Sequence, residues 1–311
     1  MKLDAEVMRA AAALSLFCVF VNGLGFQNPS HGPMLSGLGY SALRSGGCKT
    51  IAEVEDELEL VNNHTARIRV YGNECEQLRM VFGAIIQRKL RLRVLVGLWT
   101  RSQTLVVETD KLAMLLKEDT SFPPLVLGVT VGNEDIFNGV PQAQVISNMR
   151  QVRVRMIQHG FQSISISTAE VGHLWSRELA RASDVVYANI YSFFSRRSDH
   201  PDMRIAAQSI VQQAQTIAAN VAGSKPVVIS ETGWPSAGNR SVEYFDDPSI
   251  DNQRTFLELL VCNTRKHNLD FFALEAFDAS WKPGPSIEAN FGVLNRHGSF
   301  KAGYLNPPCH C

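Results

Sequence analysis

Two glutamates, each closing an apolar run, carry the chemistry this sequence offers. Glu134 ends Val126-Leu127-Gly128-Val129-Thr130-Val131-Gly132-Asn133-Glu134, and Glu231 follows Pro226-Val227-Val228-Ile229-Ser230 and precedes Thr232-Gly233-Trp234-Pro235. Apolar and β-branched residues running into a carboxylate and then a turn signal predict a buried parallel strand with an acid at its C-terminal mouth, where α/β barrels build their sites. A pair of carboxylates at such a mouth suits glycoside hydrolysis, in which one protonates the leaving oxygen and the other attacks the anomeric carbon.

Positioning two such acids requires a barrel, and the chain has its rhythm. Strand-like runs fall at 35–41, 66–72, 92–99, 126–134, 163–169, 184–194, 226–234 and 270–278, with amphipathic stretches between them. In the segment 50–63, Ile51, Val54, Leu58 and Val61 share one face. The segments 142–158 and 203–221 show similar periodicity, and Thr50 and Asp251 stand where N-caps belong. Eight strands alternating with helices predict a single-domain α/β protein, a (β/α)8 TIM barrel. An open doubly wound sheet would want a glycine-rich phosphate turn after the first strand, and Gly37-Leu38-Gly39-Tyr40 leads into none.

The motifs around the two acids resemble glycoside hydrolase family 17, the β-1,3-glucanases, and within it the fungal-type cell-wall branch. The resemblance rests on Ser230-Glu231-Thr232-Gly233-Trp234-Pro235-Ser236-Ala237-Gly238, with Val131-Gly132-Asn133-Glu134 and Asn189-Ile190-Tyr191-Ser192-Phe193-Phe194. Arg69-Val70-Tyr71 and Phe277-Asp278-Ala279-Ser280-Trp281-Lys282 extend it over nearly the whole chain, in order. It implies Glu134 as general acid/base and Glu231 as nucleophile of a retaining, cofactor-free β-1,3-glucan hydrolase. It also implies Asn133 as the asparagine bonding a sugar 2-hydroxyl, and Lys282 as a lysine near the cleft. Tyr191 either holds the nucleophile by its phenol or is a core aromatic, and Tyr40 and Tyr71 either line the subsite of the attacked sugar or pack in the core. Trp99, Trp234 and Trp281 offer indole faces for sugar stacking, against simple burial at the barrel rim. Two departures stand out: Ala279 replaces a glutamate common after Phe-Asp, and Ser192 replaces a frequent proline. Glu275 and Asp278 are the acids nearest that gap, on opposite faces if the strand alternates regularly.

Transfer to a sugar hydroxyl instead of water, a glucan transglycosylase, is the nearest alternative. A non-catalytic glucan-binding or host-interaction protein on the same scaffold is the alternative from another class. Other chemistries find no motif. There is no Gly-x-Ser-x-Gly elbow, and the eight histidines show no metal-ligand spacing, so no metal is expected.

Lysine plus arginine and aspartate plus glutamate number 30 each, which argues against nucleic acid and suits an uncharged polymer. Residues 8–25 run from Arg9 through an apolar stretch to small residues, the pattern of a secretory signal. Asp4 and Glu6 fit such a leader poorly, so the expected start is Met8, with a signal peptide in 1–25 and the catalytic domain in 26–311. The expectation is a secreted monomer, extracellular or in a cell wall, with no membrane anchor after cleavage. In an oxidising compartment Cys48 is expected to pair with Cys75, and Cys262 with Cys309 or Cys311. His310 between the last two reads as part of that disulfide neighbourhood. Asn63 and Asn239 begin glycosylation sequons.

Overall fold

The computed structural model describes residues 35–100, 105–194, 202–239, 247–283 and 286–307. The expected leader and the tail cysteines Cys309 and Cys311 lie outside these residues.

Eight parallel strands close into a barrel: β1 (Leu38–Gly39), β2 (Arg67–Val70), β3 (Arg93–Leu98), β4 (Val126–Asn133), β5 (Ile166–Val171), β6 (Val186–Asn189), β7 (Val227–Thr232) and β8 (Asp270–Ala273). Each pairs with its sequence neighbours, and β8 returns to β1 through Leu38 and Ala273. Around them lie α1 (Ile51–Asn62), α2 (Gln77–Gln87), α3 (Leu105–Glu118), α4 (Gln142–Gln158), α5 (Arg177–Ala182), α6 (Met203–Ile217) and α7 (Ile250–Lys266). The expected (β/α)8 barrel is therefore the fold found. No helix among the described residues is long and apolar enough to cross a membrane.

Local chemistry sets the helix boundaries. Thr50 caps α1 in a capping box with Glu53. Val54, Leu58 and Val61 are buried as expected, whereas Ile51 at the first helical position is 60% exposed. Glu55 takes a buried place instead, because Arg88 satisfies its carboxylate from α2. The cap of α7 is Ser249, whose hydroxyl accepts from Asn252; Asp251 sits inside the first turn, where its charge favours the helix dipole without capping it. The periodic stretch 203–221 divides into α6 and a π-helical turn, Ala218–Ala222.

Two long apolar runs stop being strand earlier than their composition suggests. After β6, Tyr191, Phe193 and Phe194 leave the sheet to pack on one another and on Phe291. After β8, the run divides its bonds: Leu274 N and Ala276 N still donate to Thr232 O and Gly39 O of the barrel, while Glu275 N donates to Phe291 O and Ala279 N to Ala289 O. A small hairpin, Leu43–Arg44 with Gly47–Cys48, follows β1. The Cys48–Cys75 disulfide ties it to the turn after β2, as expected. Cys262 is disulfide-bonded as well.

Candidate active site

Glu134 stands immediately after β4 with φ at +57°, a left-handed conformation that costs a non-glycine residue about 1–3 kcal/mol. The surrounding bonds hold it there. Glu134 N donates to Ala169 O of β5 at 2.9 Å, and its carbonyl accepts from Asn138 N and from Asn138 Nδ2 at 2.6 Å. The same turn is anchored by Glu170, next to last in β5: its carboxylate accepts from Ile136 N at 2.7 Å and from Val171 N at 2.8 Å. A register shift between Thr130 and Asn133 bends β4 as it reaches this turn.

Glu231 lies within β7 and is 7% exposed. One oxygen accepts from Arg69 Nη1 at 3.0 Å and the other from the Tyr191 phenol at 2.9 Å. Burial, and then the charge of Glu231, keep that phenol well above its usual pKa, so Tyr191 is the donor. Arg69 is 1% exposed and reaches further: Nη1 donates to Ser230 O and to Asn189 Oδ1, and Nη2 to Asn133 Oδ1 at 2.7 Å.

Asn189, ending β6, joins the two acids. Its Nδ2 donates to Glu134 Oε1 at 2.9 Å and to Asn133 Oδ1 at 3.0 Å, while its Oδ1 accepts from Ser230 and Arg69. Side chains from β2, β4, β6 and β7 thus form one network at the C-terminal mouth of the barrel.

The network treats the two carboxyls unequally. Burial, followed by repulsion from Glu231, raises the Glu134 pKa to about 7, against the opposing pull of Asn189. Glu231 instead receives a guanidinium and a phenol at hydrogen-bond distance. One group is built to keep a proton and the other has its anion satisfied, the asymmetry that acid catalysis beside a nucleophile demands.

The remaining expected residues divide. The Tyr71 ring lies under the Arg69 guanidinium at 4.5 Å; its hydroxyl makes no hydrogen bond of normal geometry, though Glu231 lies beside it. Tyr40 is 2% exposed and its hydroxyl donates to Glu57 of α1, away from the acids. Trp234 is fully buried, its Nε1 donating to Asp247 O and its ring between Phe193 and Phe256, so neither face meets a sugar. The volume of an indole inside the aromatic cluster, rather than stacking, explains it. Lys282 reaches Glu288 and the Trp281 ring instead of either catalytic candidate. Trp281 is 43% exposed at the rim. Asn63 and Asn239 are both exposed.

Arg69, Asn189, Glu170 and Glu275 were not singled out for roles by sequence reasoning. A signal existed for three of them. Arg69 interrupts an apolar strand, Asn189 ends one, and Glu170 is the next-to-last residue of a third, as Glu231 is of its own. The strand expected at 163–169 stopped one residue short of it.

The likeness to known proteins follows the same architecture. A protein named "Probable glucan endo-1,3-beta-glucosidase btgC" from Aspergillus clavatus is 29% identical over 278 residues, covering 82% of this chain and 39% of its own length. This chain therefore spans about two-fifths of that relative. A glycoside hydrolase family 17 beta-1,3-glucanosyltransferase from Rhizomucor miehei superposes with a TM-score of 0.76 at 24% identity, covering 89% of this chain and 99% of that one. An endo-laminarinase from Formosa gives 0.71 at 18% identity over 86% and 84%; both share the fold. The BtgE/BtgC glycoside hydrolase domain matches residues 37–292, from the strand before the first mouth loop to the segment that packs on β8, and the chain belongs to that family.

Proposed function

We propose that this domain cleaves β-1,3-glucan by a retaining double displacement. The observation that carries the reading is the shared network in which Glu134 is held toward its protonated form while Glu231 is held by Arg69 and Tyr191. A Glu231 oxygen attacks the anomeric carbon as Glu134 delivers its proton to the glycosidic oxygen and the carbon–oxygen bond breaks. The sugar remains as an ester on Glu231. Glu134, now ionised, takes a proton from water, whose oxygen attacks the same carbon and frees Glu231. Asn133, bonded to Arg69 and Asn189 beside Glu134, is placed for its amide to hold the sugar 2-hydroxyl, while Asn189 is fully bonded within the network and orients the acids.

The β-1,3 linkage is supported by the relative named as a glucan endo-1,3-beta-glucosidase and by a neighbouring beta-1,3-glucanosyltransferase structure in complex with laminaritriose. Secretion is supported by the Cys48–Cys75 disulfide, a bond that persists in oxidising compartments. A sugar hydroxyl in place of water at the second step gives transglycosylation. Incubation with laminari-oligosaccharides of defined length tests the whole reading. Shorter products with retained β configuration support hydrolysis, products longer than the substrate mean transfer, and no turnover of any β-1,3-glucan removes the assignment.

A further inference from the structure

Beside the two acids, on the far side of Glu231 from Glu134, a third buried carboxyl has no partner. Glu275 follows β8, is 6% exposed, and its Oε1 makes no hydrogen bond. Its backbone is fixed, N donating to Phe291 O and O accepting from Val293 N, so the side chain is aimed rather than loose. It stands over Gly39 of β1: a Cβ added there would lie 3.4 Å from Glu275 Cβ and 3.3 Å from the Tyr71 hydroxyl. The bare glycine leaves room beside the Tyr71 hydroxyl and the base of the Glu275 side chain.

That space belongs to a pocket lined by Gly39, Tyr40, Lys49, Glu275, Ala279 and Trp281. Every other charged group around it is already matched. Lys49 bonds to Glu57 at 2.7 Å, Lys282 to Glu288 at 3.3 Å, and Asp278 to Lys301 at 2.6 Å. Among these charged side chains, only Glu275 keeps a buried oxygen without a hydrogen-bond partner, and a buried polar atom without a partner is costly. A cation would want several oxygen ligands, and no group of three or more ligating side chains exists among the described residues. A neutral ligand with a hydroxyl to donate fits a lone carboxyl next to a phenol.

We propose that Glu275 hydrogen-bonds a hydroxyl of the glycone and that this pocket, with Trp281 as its outer wall, receives the non-reducing side of the bound glucan. The inference rests on the proposed glucanase reading. The direction follows from the chemistry: the leaving group sits by the proton donor Glu134, so the glycone extends over Glu231 toward β8 and β1. Burial raises the Glu275 pKa to about 7, with Lys282 and Lys49 opposing and Asp278 and Glu231 adding to the rise. Either protonation state still accepts a hydrogen bond.

The test measures laminaritriose affinity by calorimetry in a Glu134→Gln background, whose turnover is slow enough for binding to be read, alone and combined with Glu275→Leu or Trp281→Ala. Glu275→Leu should weaken binding about tenfold to a hundredfold, and the single variant should lose kcat/KM by a similar factor. Trp281 is exposed, so its alanine variant keeps the fold, and it should weaken laminaritetraose binding more than laminaribiose binding. Unchanged affinity in both variants overturns the inference while leaving the glucanase reading intact. If Glu275→Leu does not fold, unchanged oligosaccharide affinity in Trp281→Ala overturns it alone. If the Glu134→Gln parent binds no laminari-oligosaccharide, the functional reading fails first and takes the inference with it.

Discussion

Arg69 and Glu231 form an ion pair at 3.0 Å inside the barrel, with 1% and 9% of their side chains exposed. A guanidinium this deep is expensive to desolvate, and its remaining hydrogen bonds go to Ser230, Asn189 and Asn133. Removing it leaves Glu231 buried without its counter-ion. Arg69→Met is therefore expected to lose about 3–5 kcal/mol of stability, together with most turnover. Urea unfolding alongside kcat checks both; a variant as stable and active as the parent contradicts the role given to the pair.

The Tyr191 phenol bonds Glu231, but its ring is held independently by Phe194 and Phe291 at centroid distances of 5.4 and 5.9 Å. Tyr191→Phe should keep the fold and the melting temperature while lowering kcat about tenfold, the worth of one hydrogen bond to a charged group. A fall in melting temperature with kcat preserved would instead make Tyr191 a packing residue.

Glu134 must be protonated to act as the acid in the first step. With its pKa raised to about 7, first by burial and then by Glu231, activity should be lost as pH rises through that value. Glu170 contributes to the rise, so Glu170→Gln should move the alkaline limb to lower pH while the amide's oxygen still accepts from Ile136 N. A pH–rate profile of kcat/KM in parent and variant reads this directly; an unmoved or upward-shifted limb contradicts it.

Glu134→Gln removes the proposed proton donor and leaves Glu231 in place. Cleavage of laminarin should fall about 10²–10⁴-fold, while an aryl glycoside with a good leaving group loses less in the first step. Added azide should restore turnover and yield the β-glycosyl azide, because the second step then needs no general base. Equal losses on both substrates without azide rescue would assign Glu134 another role.

The Cys48–Cys75 bond closes a separation of 27 residues and joins the hairpin after β1 to the turn after β2. Replacing both cysteines with serine should reduce stability by about 3–4 kcal/mol on the chain-entropy view. The melting temperature should fall by several degrees; an unchanged value would mean that the mouth loops are held by other contacts.

The barrel was legible because β-branched runs and amphipathic stretches alternate with turn signals, and that rhythm survives imprecise boundaries. Glu134 and Glu231 were legible because a carboxylate after an apolar run is conspicuous. Arg69 and Asn189 were harder to see because their roles depend on four strands converging, a contact between residues 69, 133, 189 and 231 that no local pattern encodes. Trp234 was misleading for the opposite reason. Its neighbours in sequence belong to the site, but its side chain turns into the Phe193 and Phe256 cluster. Glu275 was obscured by assuming strand alternation through 270–278, whereas β8 ends at Ala273 and the chain beyond follows other rules.

The nucleophilic role of Glu231 is tested most directly by trapping its ester. A laminari-oligosaccharyl fluoride carrying fluorine at C2 slows both steps, and its good leaving group lets the first outrun the second. Intact mass should then rise by the mass of the 2-fluoro-oligosaccharyl group, fluoride having left, and peptide mapping should place the adduct on Glu231. Turnover of this reagent without any adduct, or an adduct on another side chain, contradicts the double displacement proposed for this domain.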